Sequence, residues 1–153
     1  MELTSSAFQN GGKIPAKYTC DDGNGNPPLT FNNVPDSARS LVLTMEDPDV
    51  PRNIMPDGNW DHWVIFNIPS STREVQDGQE PPGVRGSGTG GSRTYHGPCP
   101  PDREHRYYFR LYALDTILAL TEGSTKQQVL TAMDKHIIAK AELVGKYARQ
   151  SAS

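Results

Sequence analysis

The run His105-Arg-Tyr-Tyr-Phe-Arg-Leu-Tyr-Ala-Leu114 constrains this chain more than any other segment. Successive side chains of a strand point to opposite faces, so His105, Tyr107, Phe109, Leu111 and Ala113 share one face. Arg106, Tyr108, Arg110, Tyr112 and Leu114 share the other. Such a strand needs neighbours beside it and an apolar layer over it. Two further runs offer them: Leu41, Leu43, Met45 and Asp47 alternate along 41–47, and His62, Val64, Phe66 and Ile68 along 61–68. Residues 2–8 and Leu29 to Phe31 read as shorter strands. The 14 Gly and 13 Pro in 153 residues break the chain into short runs joined by long loops. The expectation is one mainly β domain over 1–153, a β-sandwich rather than a helical bundle.

Only the end of the chain reads as helical. Thr125 with Gln128 three positions on makes a capping box. Val129, Met133, Ile137, Ala141, Val144 and Ala148 follow at helical spacing, which predicts a C-terminal helical segment, broken near His136 into two helices. Its stripe is expected to pack on a sheet, with a homodimer contact as the alternative use. The tail Gln150–Ser153 is expected to fray.

Composition excludes several classes. The net charge is −3 and no basic run occurs, which argues against nucleic acid as a partner. No apolar run reaches transmembrane length and the start lacks a basic, apolar leader, so a cytoplasmic location is expected. Cys20 and Cys99 make no metal framework and are expected to be reduced thiols, a disulfide between two loops being the alternative. Gly86-x-Gly88-x-x-Gly91 matches the dinucleotide pattern, but no strand leads into it and no helix follows, so it reads as a loop. No cofactor is implied.

Polar groups gather at strand ends. Asp47 closes one inward row within Asp47-Pro-Asp-Val-Pro51, and His62 opens the next within Trp60-Asp-His-Trp63. If these strands pair antiparallel, the two meet at one rim. His105 and Tyr107 reach that rim if their strand runs in the sense of 62–68. Burying such groups unpaired costs several kcal/mol, so their placement points to a pocket for a small anion.

The same motifs resemble the phosphatidylethanolamine-binding protein family, which includes the Raf kinase inhibitor proteins. Asp-Pro-Asp-x-Pro, Trp-x-His and Gly97-Pro-Cys-Pro-Pro101 with His105-Arg-Tyr107 occur in order. Cys20-Asp-Asp-Gly23, Pro27-Pro-Leu29 and Ala141-Glu-Leu-Val-Gly-Lys-Tyr147 are similar to its bacterial and archaeal, YbhB/YbcL-type branch. The resemblance implies two antiparallel sheets, a C-terminal helix and a pocket for phosphate-like anions formed by Asp47, Asp49, His62, Gly97, Pro98, His105 and Tyr107. In it the Gly97 N–H would face a phosphate oxygen. It also implies partners: a phosphorylated ligand, lipid head groups, and a regulated kinase or protease. One departure is the Gly-rich stretch 86–91, followed by Arg93 and Tyr95-His96-Gly97, where the family has an Asn-rich connection.

A binding protein, not an enzyme, is the reading. The alternative is a phosphoester hydrolase using Asp47, His62 and His105 as acid, base and stabiliser. No nucleophile motif supports it. A metal site of Asp47, Asp49, His62 and His105 lacks the spacing of known metal motifs. Ligand binding is expected to depend on pH between about 5 and 7, where His and phosphate monoesters change charge.

Overall fold

A computed structural model describes residues 1–149; the expected fraying of 150–153 lies outside the described residues. Eight strands form two antiparallel sheets. The smaller has β1 (Glu2–Thr4), β2 (Leu29–Asn32) and β5 (Glu74–Val75), with β2 central. The larger runs β6 (Val84–Arg85), β4 (Trp60–Pro69), β3 (Ser40–Asp47), β7 (His105–Leu114) and β8 (Ile137–Tyr147). Helix α1 (Lys126–Met133) lies between β7 and β8 in sequence, and a short 3-10 turn covers Ala16–Tyr18.

The core lies between the sheets, where Leu3 and Phe31 meet Leu41, Leu43, Met45, Trp63, Ile65, Phe109 and Leu111. The expected rows on β3 and β7 face this core. That on β4 does not hold throughout, because the strand slips register twice. Met45 pairs with Trp63 and Glu46 with Asp61, so His62 is an extra residue. Leu41 pairs with Ile68 but Leu43 with Ile65, with Asn67 in a left-handed conformation between them. Val64 and Phe66 therefore turn to the opposite face, onto Val42, Leu114, Val129 and Met133. On that face the Lys126 ammonium, at the start of α1, bridges Glu46 at 2.5 Å and Asp61 at 2.8 Å.

The C-terminal helical segment is correct for its first part only. Thr125 and Gln128 form both bonds of the capping box, and the helix ends at Met133. The expected second helix is instead β8. Ala139, Ala141, Leu143, Gly145 and Tyr147 also alternate with period two, and β7 needs a partner on its far side. β8 supplies the full ladder from Leu114–Ile137 to His105–Tyr147, and Lys135, at φ 70°, makes the turn into it. A short apolar run can satisfy both periods; the open edge of β7 decides between them.

The thiols are also a correction. Cys20 and Cys99 form a disulfide, with Cα atoms 5.4 Å apart. Two neighbouring contacts hold the cysteines in register: the Cys20 N–H donates to the Pro98 carbonyl at 3.1 Å, and the Tyr95 hydroxyl to the Tyr18 carbonyl at 2.7 Å. The cytoplasmic expectation rested on the missing leader and apolar span; the disulfide adds no support to it, because such bonds persist mainly in oxidising compartments. No helix among the described residues is long and apolar enough to cross a membrane.

Closing a 79-residue separation, the disulfide is expected to contribute about 2–4 kcal/mol. Cys20→Ser should lower the urea midpoint correspondingly in the absence of reductant, and dithiothreitol should abolish the difference. Equal midpoints without reductant would show that the thiols are not paired.

Candidate functional site

Three strand ends converge at one rim of the larger sheet. β3 is antiparallel to both β4 and β7, with Asp47 opposite Trp60 and Glu46 opposite Tyr108. The end of β3 therefore lies beside the starts of both neighbours, as the alternation implies. The extra residue at His62 sharpens this: two consecutive side chains, His62 and Trp63, are both buried there.

Asp47 organises the site. Its Oδ1 accepts the Asp49 N–H at 2.8 Å, the Asx turn that Asp-Pro sequences favour. Its Oδ2 lies 2.6 Å from Nδ1 of His105, which is 0% exposed. The other ring nitrogen, Nε2, lies 2.6 Å from Oδ1 of Asp102, whose side chain is 40% exposed. Burial pushes the Asp47 carboxyl above its ordinary value, against the opposing pull of His105 and the Asp49 N–H. Asp102, hydrogen-bonded to His105, is held below its ordinary value.

His62 is set differently. Its Nδ1 is 2.5 Å from the His96 carbonyl. A carbonyl only accepts, so Nδ1 carries the hydrogen and Nε2 of the neutral ring is bare. Burial lowers its pKa to about 4, so the ring is neutral near pH 7. Tyr107 sits edge-on to His62, with ring centroids 5.4 Å apart. The Tyr107 hydroxyl is buried and has no hydrogen-bond partner among the described residues. Burial first, and the Asp47 charge second, raise its pKa, so it remains a donor.

These groups line a cavity of about 250 Å³. Asp47, His62, His105 and Tyr107 supply its polar floor, and Val50, Ile54, Trp60, Pro100 and Pro101 most of the apolar remainder. His96 and Cys99 complete the wall, and no Lys or Arg is among the lining residues. The volume suits a head group with one small substituent, and is below the usual range for drug-sized ligands.

The other expected site residues stand behind this pocket. Asp49 turns outward to Arg106, whose Nε and Nη2 reach Oδ2 and Oδ1 at 2.9 and 2.8 Å, with the Arg106 N–H also on Oδ2 at 2.9 Å. That fork lowers its pKa to about 2. Asp49 therefore does not join Asp47, His62 and His105 in a metal-like cluster. The Gly97 N–H donates to Asn24 Oδ1 at 2.8 Å instead of facing the cavity. A Cβ at Gly97 would overlap that oxygen and the Tyr18 carbonyl, so the residue is required for close loop packing. Pro98 is buried and accepts from Cys20. Both hold the wall in place.

The sequence reading missed Asp102, which occupies the second nitrogen of His105, and the apolar residues around the cavity. Asp102 lies three residues before His105, a separation at which an extended loop gives no periodic signal. Of the departing stretch, Arg93 pairs with Glu122 at 3.5 Å, while His96 lines the cavity. Buried Tyr95 packs edge-on to Trp63, and Glu80 takes the Trp63 indole N–H and the Tyr95 N–H.

Comparison with known proteins agrees with this fold. The family model for phosphatidylethanolamine-binding protein matches residues 4–148. The chain belongs to the phosphatidylethanolamine-binding protein family. A UPF0098 protein of Chlamydia trachomatis is 50% identical over 147 residues, covering 96% of this chain and 98% of its own length. A UPF0098 protein of Methanothermobacter thermautotrophicus is 46% identical, covering 97% and 99%. The crystal structure of a phosphatidylethanolamine-binding protein homologue from C. trachomatis superposes with a TM-score of 0.95 at 49% identity, covering 97% of each chain. E. coli YbcL gives 0.86 at 28% identity, covering 97% and 98%. Like these relatives in fold, this family member keeps its pocket at one sheet rim.

In this family member Asp49 is expected to act on stability alone. Its pKa is lowered in the folded state, so its contribution is present above the ordinary value of 3.8 and is lost as pH falls through about 2. Asp49→Asn should cost about 1 kcal/mol near pH 7, discounted for the exposed Arg106, and only a small fraction of that near pH 2. Denaturation at both pH values checks this, and a constant difference would contradict it.

Proposed function

We propose that this protein binds a small oxyacid, such as a phosphate monoester, with its acidic group at Tyr107 and His62. The observation that carries the reading is the buried Tyr107 hydroxyl without a partner among the described residues, in the same cavity as His62, whose Nε2 is bare and whose ring lies 5.4 Å from the Tyr107 ring. An unpaired buried donor costs about 1–3 kcal/mol, which a ligand oxygen would recover. Neutral His62 accepts, so the ligand must bring a hydrogen as well as an oxygen. A monoanionic phosphate ester has both: P–O⁻ for the Tyr107 O–H, and P–OH for His62 Nε2. With Asp47 close by and no Lys or Arg in the lining, a dianion is disfavoured. The apolar rim suits an aromatic or short aliphatic substituent, with Trp60 as its widest surface.

The sign of the pH dependence follows. His62 gains its own proton only near pH 4, so between pH 5 and 8 the ligand's proton governs binding. Affinity for phosphotyrosine or phenyl phosphate should be highest below the ester's second pKa, near 6, and fall about tenfold per pH unit above it. Phenyl sulfate, without that proton, should bind weakly and without a slope. Calorimetry from pH 5 to 8 is the test, and a flat phosphate-ester profile would overturn the proton-sharing scheme.

Two variants assign the contacts. Tyr107→Phe should lower affinity about tenfold or more by removing a bond to a charged oxygen. His62→Ala should lower it and flatten the pH profile. Unchanged affinity in both, with folding intact by circular dichroism, would place the ligand elsewhere.

A further inference from the structure

Asp102 is the exposed end of a buried chain of hydrogen bonds. The chain of contacts runs from Asp47 Oδ2 through His105 Nδ1 and Nε2 to Asp102 Oδ1, at 2.6 Å each. Two bonds between an imidazole and two carboxylates require two hydrogens. The three groups together therefore carry a net charge of −1, whichever atoms hold those hydrogens. Without Asp102 the remaining pair, if it keeps both hydrogens, is neutral.

We propose that Asp102, acting through His105, determines the charge the pocket presents at Asp47 and so makes the site discriminate against dianionic ligands. This rests on the oxyacid reading above. Asp102 does not reach the cavity and is a positioning residue. With a carboxylate on each nitrogen at 2.6 Å, both hydrogens can sit on the ring, and Asp47 then faces the cavity as an ionised group. An anion entering beside Asp47 then meets a fixed negative charge, and only one bearing a proton can share it. With Asp102 neutralised, the hydrogen on Nδ1 can move to Asp47, leaving a neutral ring and a neutral carboxyl facing the ligand.

The surroundings supply no substitute for this control. From β3 only Asp47 reaches the ring, and from β4 the neutral His62 faces the same cavity. On β7 the Tyr107 ring stacks against His105 at 6.4 Å. On β8 the register partner is Tyr147, whose hydroxyl is bonded to Asp21. Among the described residues the cation paired with Asp102 is Arg103, at 3.7 Å and exposed, which screens the carboxylate without displacing it from Nε2. Among the described residues no second carboxylate contacts Nε2, so this part of the charge is set from outside the pocket by one residue.

The experiment compares wild type, Asp102→Asn and Asp102→Glu in two measurements. The first is the affinity for phenyl phosphate at pH 5.5 and pH 8. Wild type should weaken about a hundredfold across that interval, Asp102→Asn by at least threefold less because the slope set at His62 remains, and Asp102→Glu should restore the wild-type ratio. The second is the ¹⁵N spectrum of His105 at pH 8 without ligand. Wild type should show hydrogens on both ring nitrogens, and Asp102→Asn a bare Nδ1 with the hydrogen retained on Nε2; a bare Nε2 instead would leave Asp47 ionised and contradict the proposal. An Asp102→Asn protein with the wild-type ratio and spectrum overturns the proposal. If phenyl phosphate binds neither protein, the oxyacid reading fails, and an unchanged His105 spectrum in Asp102→Asn would independently defeat the assignment of Asp102.

Discussion

The hydrogen bond between Asp47 and His105 is the contact on which the rest of the site depends. It joins residues 58 apart in sequence, at the end of β3 and the start of β7, with both side chains nearly inaccessible. A buried carboxylate without that partner would cost several kcal/mol, as would a buried imidazolium. The two ends can therefore sit at the core's rim only together. Once they do, His62 and Tyr107 are brought within reach of the same cavity by strand pairing alone.

The pocket wall depends on a different kind of constraint. Residues 95–101 contribute little regular structure, and are held by side chains and a covalent bond. Tyr95 is anchored to Trp63 and Glu80, Gly97 to Asn24, and Cys99 to Cys20. Each anchor reaches a part of the chain distant in sequence. The wall then presents Pro100 and Pro101, whose restricted backbones keep the cavity shape without hydrogen bonds of their own. The His96 carbonyl, in the same wall, selects the hydrogen position on His62 and hence what the pocket offers a ligand.

Much of this was legible in the sequence wherever one face of a strand is buried. The row from His105 to Ala113 survives intact because β7 is central and its pairing with both neighbours keeps register up to Ala113, the one shift against β8 falling between Ala113 and Leu114. On β4 the same reasoning placed His62 correctly but put Val64 and Phe66 on the wrong face. Register slips are local backbone choices that leave alternation unaltered on either side of them. β8 was misread because Val129, Met133, Ile137 and Ala141 satisfy a helical period across a turn at Lys135. The availability of the β7 edge, a non-local fact, chose the strand. The disulfide, the outward fork of Asp49 on Arg106, and Asp102 on His105 all rest on loop conformation, for which alternation offers no signal. Gly97 was singled out by motif, and its role is steric rather than ligand-facing.

The central claim is that an oxyacid completes the bonds left open by Tyr107 and His62. A crystal structure of the protein with phenyl phosphate at pH 5.5 tests it most directly. Phosphate oxygens are expected within hydrogen-bonding distance of the Tyr107 hydroxyl and of His62 Nε2, with the ring against Trp60 and the Asp47–His105 bond unbroken. An empty pocket at saturating ligand, or a phosphate held at the Asp49–Arg106 surface instead, would contradict it.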